Sequence, residues 1–174
     1  MRSPTVRATA LAAVIVTLAA GIAACDAGGA PPTPPISPGT SAAPREVNII
    51  ARDWTFQPAV VDVVAGETVL LHVVNGGLDV HEAVIGGDAA QAAWESAEAA
   101  AAVGLPPGAT PKVSVDPSVG GLRIVVGSGQ RVDMVWTVPS AMPAGGLVVG
   151  CHIPGHWAKG MVVPIRFVQP GSVP

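Results

Sequence analysis

Apolar residues alternate with other residues along several short segments that begin after residue 45. The period-two pattern covers residues 46–52, 68–75 and 130–138. Further β-branched apolar runs lie at 59–64, 146–151 and 161–168, and glycine and proline separate these segments. The residues expected to face a core are Val47, Ile49, Ala51, Val69, Leu71, Val73, Val132, Met134 and Trp136. This pattern predicts an all-β domain, either a sandwich or a barrel.

One segment departs from the β pattern. Residues 88–103 (DAAQAAWESAEAAAAV) consist almost entirely of strong helix formers. Asp88 follows two glycines and is a candidate N-cap. We therefore expect one helix of about residues 88–103, inserted between strands.

Composition supports one β-rich domain. The chain has 174 residues with 21 Gly, 18 Pro and no Tyr, which argues against long helices. The net charge is −3 and 12% of residues are charged, so no basic face for nucleic acid is expected. Two cysteines are too few for a disulfide framework. We predict a monomeric domain at residues 46–169 and a short tail at 170–174.

The N-terminal residues 1–24 have the composition of an export signal. Arg2 and Arg7 precede an uncharged apolar stretch that ends in Ile22-Ala23-Ala24-Cys25. This ending resembles a bacterial lipobox, which implies cleavage before Cys25 and lipid attachment to its sulfur. An ordinary signal peptide or an uncleaved anchor is the alternative. Localisation at the outer face of the bacterial cell membrane would follow, on the periplasmic side where an outer membrane exists.

Residues 26–45 are rich in proline, glycine, serine and threonine. Such a segment has little apolar surface to bury, so folding would not recover its ordering entropy. We predict that residues 25–45 form a lipidated cysteine followed by a disordered stalk.

A group of metal-binding residue types lies near the C-terminus. Cys151, His156 and Met161 are spaced Cys-x4-His-x4-Met, and His81 lies far upstream, after a predicted strand. Two imidazoles and a thiolate with a weak axial thioether make a type 1 copper site. Zinc is less suited, since methionine is not its usual ligand and its structural sites favour two or more cysteines.

These motifs resemble those of the cupredoxins, the blue-copper proteins of the plastocyanin and azurin superfamily. The matching segments are Asn75-Gly76-Gly77, His81-Glu82-Ala83-Val84-Ile85-Gly86, Cys151-His152-Ile153-Pro154-Gly155-His156 and Gly160-Met161. The resemblance implies a Greek-key β-sandwich and one type 1 copper ion, with His81, Cys151, His156 and Met161 as ligands.

Two departures from the family pattern bear on function. Plastocyanin and azurin have asparagine after the first histidine ligand, where it ties the ligand loops together, whereas this chain has Glu82. The tie is then expected from Asn75 or is absent. The closer likeness is to small exported cupredoxins, some of which are linked to copper tolerance. Residues 82–133 contain no His, Met or Cys, which argues against copper scavenging by that segment.

Three further residues have less specific patterns. We expect His72 to be a solvated or hydrogen-bonded surface residue and His152 to point outward at a strand end. A Cys-His pair also joins type 1 copper to a second copper centre in some enzymes, but four histidines in all are too few for such a centre. Met142 lies in a proline-flanked loop and is expected to be loop filler, with an exposed docking residue as the alternative.

The leading hypothesis is a membrane-tethered, non-enzymatic electron carrier. Its partners would be cytochromes, oxidases or reductases in transient contact, and the lipid anchor would hold it at the membrane. The family places the second histidine ligand within an apolar surface patch, which implies docking through Ile153, Pro154 and Trp157. The alternative is copper binding for tolerance or delivery without redox turnover.

Overall fold

The computed structural model describes residues 32–106 and 112–174. This part of the chain contains nine strands and one α-helix. The strands are Arg45–Arg52 (β1), Thr55–Gln57 (β2), Val61–Val63 (β3), Thr68–Asn75 (β4), His81–Gly86 (β5), Leu122–Val126 (β6), Arg131–Thr137 (β7), Leu147–Gly150 (β8) and Val162–Phe167 (β9), and the helix is Asp88–Ala101 (α1). Short 3₁₀ helices lie at Pro117–Val119 and Trp157–Lys159.

The strands form two sheets, which confirms the predicted β-sandwich. One sheet has the order β2-β1-β4-β7 and the other the order β3-β9-β8-β5-β6. β1 pairs in parallel with β4, and β3 pairs in parallel with β9, while the remaining pairs are antiparallel. The side chains predicted to face the core on β1 and β4 are buried, and those on β7 are partly buried against the core.

Three strands were not predicted, and their burial or their length explains why. All six residues of β5 are buried, because one face meets the sandwich core and the other lies under α1. A strand that is buried on both faces shows no alternation of apolar and polar residues. β6 has only five residues and includes Arg123, which breaks its apolar run. β2 has only three residues.

Helix α1 lies close to its predicted position but begins differently. Gly87 is the N-cap and Asp88 lies in the first turn, so the predicted Asp88 cap is wrong. The chain approaches the helix closely here, since a Cβ on Gly86 would lie 2.6 Å from the Cβ of Ala90. A side chain at position 86 would therefore collide with the first turn of the helix.

The segment before β1 is partly fixed on the domain. Ile36 is buried, its N–H donates to the carbonyl of Ser172 at 2.8 Å, and its carbonyl accepts from the N–H of Gly171 at 2.8 Å. The carbonyl of Gly39 accepts from the N–H of Thr68 at 3.0 Å. Residues 36–45 are therefore held by the sandwich. The part of the predicted stalk (residues 26–45) from Ile36 onward therefore contacts the domain. Ile36 itself is bonded to the predicted tail at 170–174.

Candidate metal centre

Four candidate ligands lie at one end of the sandwich because of where their strands begin and end. His81 is the first residue of β5, Cys151 directly follows β8, and Met161 directly precedes β9. The N–H of Cys151 donates to the carbonyl of Met161 at 3.1 Å, and the N–H of Met161 donates to the carbonyl of His156 at 3.2 Å. These bonds close the loop between β8 and β9 on itself, so its candidate ligands are held by backbone contacts.

The side chains of His81, Cys151 and His156 meet in the interior. One potential ligand atom from each lies within 4.8 Å of the others, and all three residues are buried. The Sγ of Cys151 is 3.3 Å from the Nδ1 of His156, and the two imidazole rings have centroids 5.0 Å apart. Met161, in the same loop, is completely buried. Its role as the axial ligand stays a prediction.

The donor atoms of this cluster fit a copper ion. The Nδ1 of His81 is buried and has no hydrogen-bond partner, while its Nε2 is bonded to Asp53 at 2.9 Å. A buried polar atom without a partner is costly, and a metal ion would provide one. Two imidazole nitrogens and one sulfur match the preferences of copper.

The protonation states of Cys151 and His156 determine whether a metal ion must displace a proton when it binds. Burial raises the pKa of the Cys151 thiol to about 12, with a further contribution from the negative charges of Glu82 and Glu98. Burial also lowers the pKa of His156, with a further contribution from His81, which favours the neutral imidazole. Because metals bind the thiolate, loading this site should release one proton from Cys151.

Glu82 ties the two halves of the site together. Its Oε1 accepts from the N–H of His152 at 2.9 Å, one residue after Cys151, and its Oε2 accepts from Nε of Arg123 at 2.5 Å. The sequence pattern predicted that Asn75 would provide this tie or that the tie would be absent. Asn75 instead shapes the chain before His81, since its Nδ2 donates to the carbonyls of Asp79 and Val126.

The outward position predicted for His152 is wrong. The residue is buried, with one ring nitrogen 2.5 Å from Oε2 of Glu95 and the other 2.6 Å from Oε1 of Gln91. Its ring stacks on that of Trp157, with centroids 4.7 Å apart. Helix α1 therefore holds His152, the residue that follows the candidate thiolate ligand, through two hydrogen bonds. Residues 91, 95 and 98 are polar and are spaced to share one helix face, and this pattern is the feature of the sequence that indicates a buried polar contact.

The other residues considered from their sequence patterns lie away from the cluster or at its rim. His72 is hydrogen-bonded to Asp133 at 2.8 Å, as expected, but it is buried rather than solvated. Met142 is exposed in its loop. Of the predicted docking residues, Pro154 is exposed, whereas Ile153 and Trp157 are partly buried. Cys25 and the export signal lie outside the described residues. Within the described ranges, no helix has the length and apolar character to span a membrane.

Arg123 holds two buried carboxylates at once. Its guanidinium donates to Glu82 and to Oε1 of Glu98, each at 2.5 Å, and it lies over the ring of Trp94. Burial raises the pKa of Glu98 to about 7, with a further contribution from the charge of Glu82, while Arg123 opposes the shift. One cation is therefore shared by two groups that compete for it.

The raised pKa of Glu98 predicts a pH-dependent stability. Because folded Glu98 holds its proton more tightly than an unfolded glutamate of pKa 4.5, its contribution to the free energy of unfolding should fall as pH rises from about 4.5 to about 7. Urea unfolding of the copper-free protein across this range, compared with Glu98→Gln, isolates that contribution. The variant should lack this decline, and parallel profiles for the two proteins would contradict the assignment.

Comparisons with known proteins agree with the fold and the site. No family model matches the chain. It is 34% identical over 133 residues to the copper-resistant cuproprotein CopI of Rubrivivax gelatinosus, covering 75% of this chain and 71% of that protein. It is 30% identical over 147 residues to the CopI of Pseudomonas aeruginosa, covering 74% of this chain and 78% of that protein.

A solved structure supports the same architecture. The reduced auracyanin of Roseiflexus castenholzii superposes with a TM-score of 0.56 at 22% identity, covering 75% of this chain and all of that one. At this identity the likeness shows the cupredoxin fold alone. Both CopI proteins are at least 30% identical to this chain over more than two thirds of their own length, which shows that they are homologous to it. The chain therefore belongs to the family of the copper-resistant cuproprotein CopI and has the cupredoxin fold.

Proposed function

We propose that this protein binds one copper ion at His81, Cys151 and His156, with Met161 as a weak axial ligand, and transfers single electrons. The observation that carries the proposal is the buried, unpartnered Nδ1 of His81 in a cluster with a thiol and a second imidazole. Copper supplies reversible one-electron chemistry when it is bound. The family relationship supports copper as the metal, because both relatives are named cuproproteins.

The chain supplies a rigid and dry environment for this chemistry. The ligand loop is closed by backbone hydrogen bonds, Glu82 joins it to β5, and His152 joins it to α1. Ligand atoms held in this way move little between oxidation states, which lowers the reorganisation that electron transfer requires. His156 directly follows the exposed Pro154 and Gly155, so we assign its ring as the path for electrons between the cluster and a docked protein.

Titration of the purified full chain with Cu(II) tests the proposal. One equivalent should bind and produce an intense visible absorption from the thiolate. A colourless product, a second equivalent with similar affinity, or a preference for Zn(II) would contradict the assignment. Electron transfer is tested by the rate at which the loaded protein exchanges electrons with membranes from its source organism.

Copper tolerance is the second candidate function. The names of both relatives favour it, since each is described as copper-resistant. The absence of His, Met and Cys from residues 82–133 favours a single redox site instead. Deletion of the gene separates the two: a tolerance protein should protect growth in high copper, whereas a carrier should sustain electron flux at low copper.

We also propose export and attachment through a lipid on Cys25 to the outer face of the cell membrane. Support comes from the apolar segment and the resemblance of residues 22–25 to a lipobox. The predicted docking residues Ile153, Pro154 and Trp157 would then meet redox partners at that membrane.

Substitutions of Met161 test its role as the axial ligand. A thioether donor favours Cu(II), so Met161→Leu should raise the reduction potential. Met161→Gln supplies a stronger oxygen donor and should lower it. We expect shifts on the order of 60 mV, which correspond to a tenfold change in the ratio of the Cu(II) and Cu(I) affinities. Voltammetry measures both, and shifts of the same sign would exclude Met161 as the ligand.

A further inference from the structure

The turn between β1 and β2 places a carboxylate against the first candidate ligand. Oδ1 of Asp53 lies 2.9 Å from Nε2 of His81, and the Asp53 side chain is 29% exposed. The N–H of Leu78 donates to both carboxylate oxygens, at 3.1 and 3.0 Å, and the N–H of Asp79 donates to Oδ1 at 3.3 Å. One aspartate therefore binds the ligand ring and the loop that leads to it.

This contact decides which nitrogen of His81 is free. A carboxylate accepts hydrogen bonds only, so Nε2 must carry the proton that it donates to Asp53. The lone pair is then on Nδ1, the buried atom that has no partner and lies in the cluster with Cys151 and His156. A carboxylate on the second nitrogen also makes an imidazole a more basic ligand.

The turn keeps this position at an energetic cost. Trp54 has a φ of 153°, a backbone conformation that is rare and strained outside glycine. Such a conformation persists only where the surroundings fix it. Lys159, three residues after His156, lies with Nζ 3.4 Å from the centroid of the Trp54 ring. Gly77 leaves room for the carboxylate, because a Cβ there would lie 2.3 Å from Oδ1 of Asp53.

We propose that Asp53 is a positioning residue of the copper site, which fixes the tautomer and orientation of His81 and, through its negative charge, stabilises Cu(II) relative to Cu(I). The proposal rests on the copper-binding function proposed above. Sequence patterns did not single out Asp53, which lies 28 residues from His81 in a short turn.

Substitution of Asp53 by asparagine separates its charge from its shape. In the full-length protein, Asp53→Asn should lower the affinity for Cu(II) by about 10–100-fold. The affinity for Cu(I) should fall less, so the reduction potential should rise by about 59 mV for each tenfold difference between the two losses. If Asp53 had a purely structural role, its substitution would lower the affinities for Cu(II) and Cu(I) equally and would leave the reduction potential unchanged.

Asp79→Asn is the matched control. It removes the same charge from the same end of the sandwich, where Oδ2 of Asp79 lies 4.0 Å from Nε2 of His156 and its side chain is 56% exposed. The Asp79 side chain makes no hydrogen bond to His81. A rise in potential that is clearly larger for Asp53→Asn than for Asp79→Asn supports the proposal. Equal rises, or an unchanged potential for Asp53→Asn, overturn it.

The wild-type protein provides a measurement that does not depend on folding of the variant. NMR of the Cu(I) form should show the Nε2 proton of His81 as a slowly exchanging signal, and the copper-free form should show the same signal. Its absence from both forms overturns the contact with Asp53. Failure of the wild type to bind copper would instead contradict the proposed function, and the signal of the copper-free protein would still test the contact.

Discussion

We expect Cys151→Ser to abolish the visible absorption of the copper-loaded protein completely. The absorption arises from the thiolate, and a serine hydroxyl neither ionises at neutral pH nor offers a sulfur donor. The fold should persist, because Cys151 is one of many buried residues shared by the two sheets and serine is close to it in size. Visible absorption and far-UV circular dichroism measure the two effects separately.

The chain provides a matched control for this substitution. Cys25→Ser changes the other cysteine by the same atom, and the colour should be unaffected because the predicted role of Cys25 is lipid attachment. Retention of the absorption band in Cys151→Ser, or its loss in Cys25→Ser, would contradict the assignment of the sulfur ligand.

Arg123→Met should give the largest loss of stability among the charged residues of the site. Arg123 is the shared partner of Glu82 and Glu98, both of which are fully buried, and its removal leaves these carboxylates to face each other. Breaking a buried pair in this way costs about 3–5 kcal/mol. Urea unfolding of the copper-free protein at pH 8 measures the loss, which should shrink near pH 5, where Glu98, whose pKa is raised to about 7, holds its proton.

Two companion variants make this result specific. Arg166 pairs with Asp62 and its side chain is 59% exposed, so Arg166→Met should cost much less stability than Arg123→Met. Adding Glu98→Gln to Arg123→Met should recover part of the stability, because one unpaired buried charge is removed. Equal losses for the two arginine variants would show that burial of the carboxylates is not the cause.

The β-sandwich was predictable because most of its strands are buried on one face only. On β1 every second residue is buried and on β7 every second residue is partly buried, and this period is visible in the sequence. The same rule fails for β5, because α1 covers its second face and removes the polar residues that would mark the period. The helix itself was predictable from its composition, but the contacts of its polar residues Gln91, Glu95 and Glu98 with His152 and Arg123 were not.

The candidate ligands were recognisable because three of them lie within eleven residues of sequence and have unusual chemistry. Their supporting residues were not, since common residue types far apart in sequence provide them. Arg123 is 41 residues from Glu82 and 25 residues from Glu98, and no local pattern joins these positions. The pairing of β5 with β6 and the packing of α1 against β5 bring the three side chains together.

Residues 36–45 attach to the sandwich at the end opposite the candidate ligands. Gly39 is bonded to Thr68 at the start of β4, and β1 runs from there as a strand of eight residues to the turn that holds Asp53. At about 3.3 Å per residue, the candidate ligands lie roughly 25 Å from the point where the N-terminal segment joins the sandwich. A lipid tether of the kind proposed above would therefore enter the domain about one strand length away from the candidate ligands. Such a tether would leave the ligand end of the sandwich accessible to large membrane complexes. Shortening the tether should then reduce contact with those complexes without changing the affinity of the site for copper.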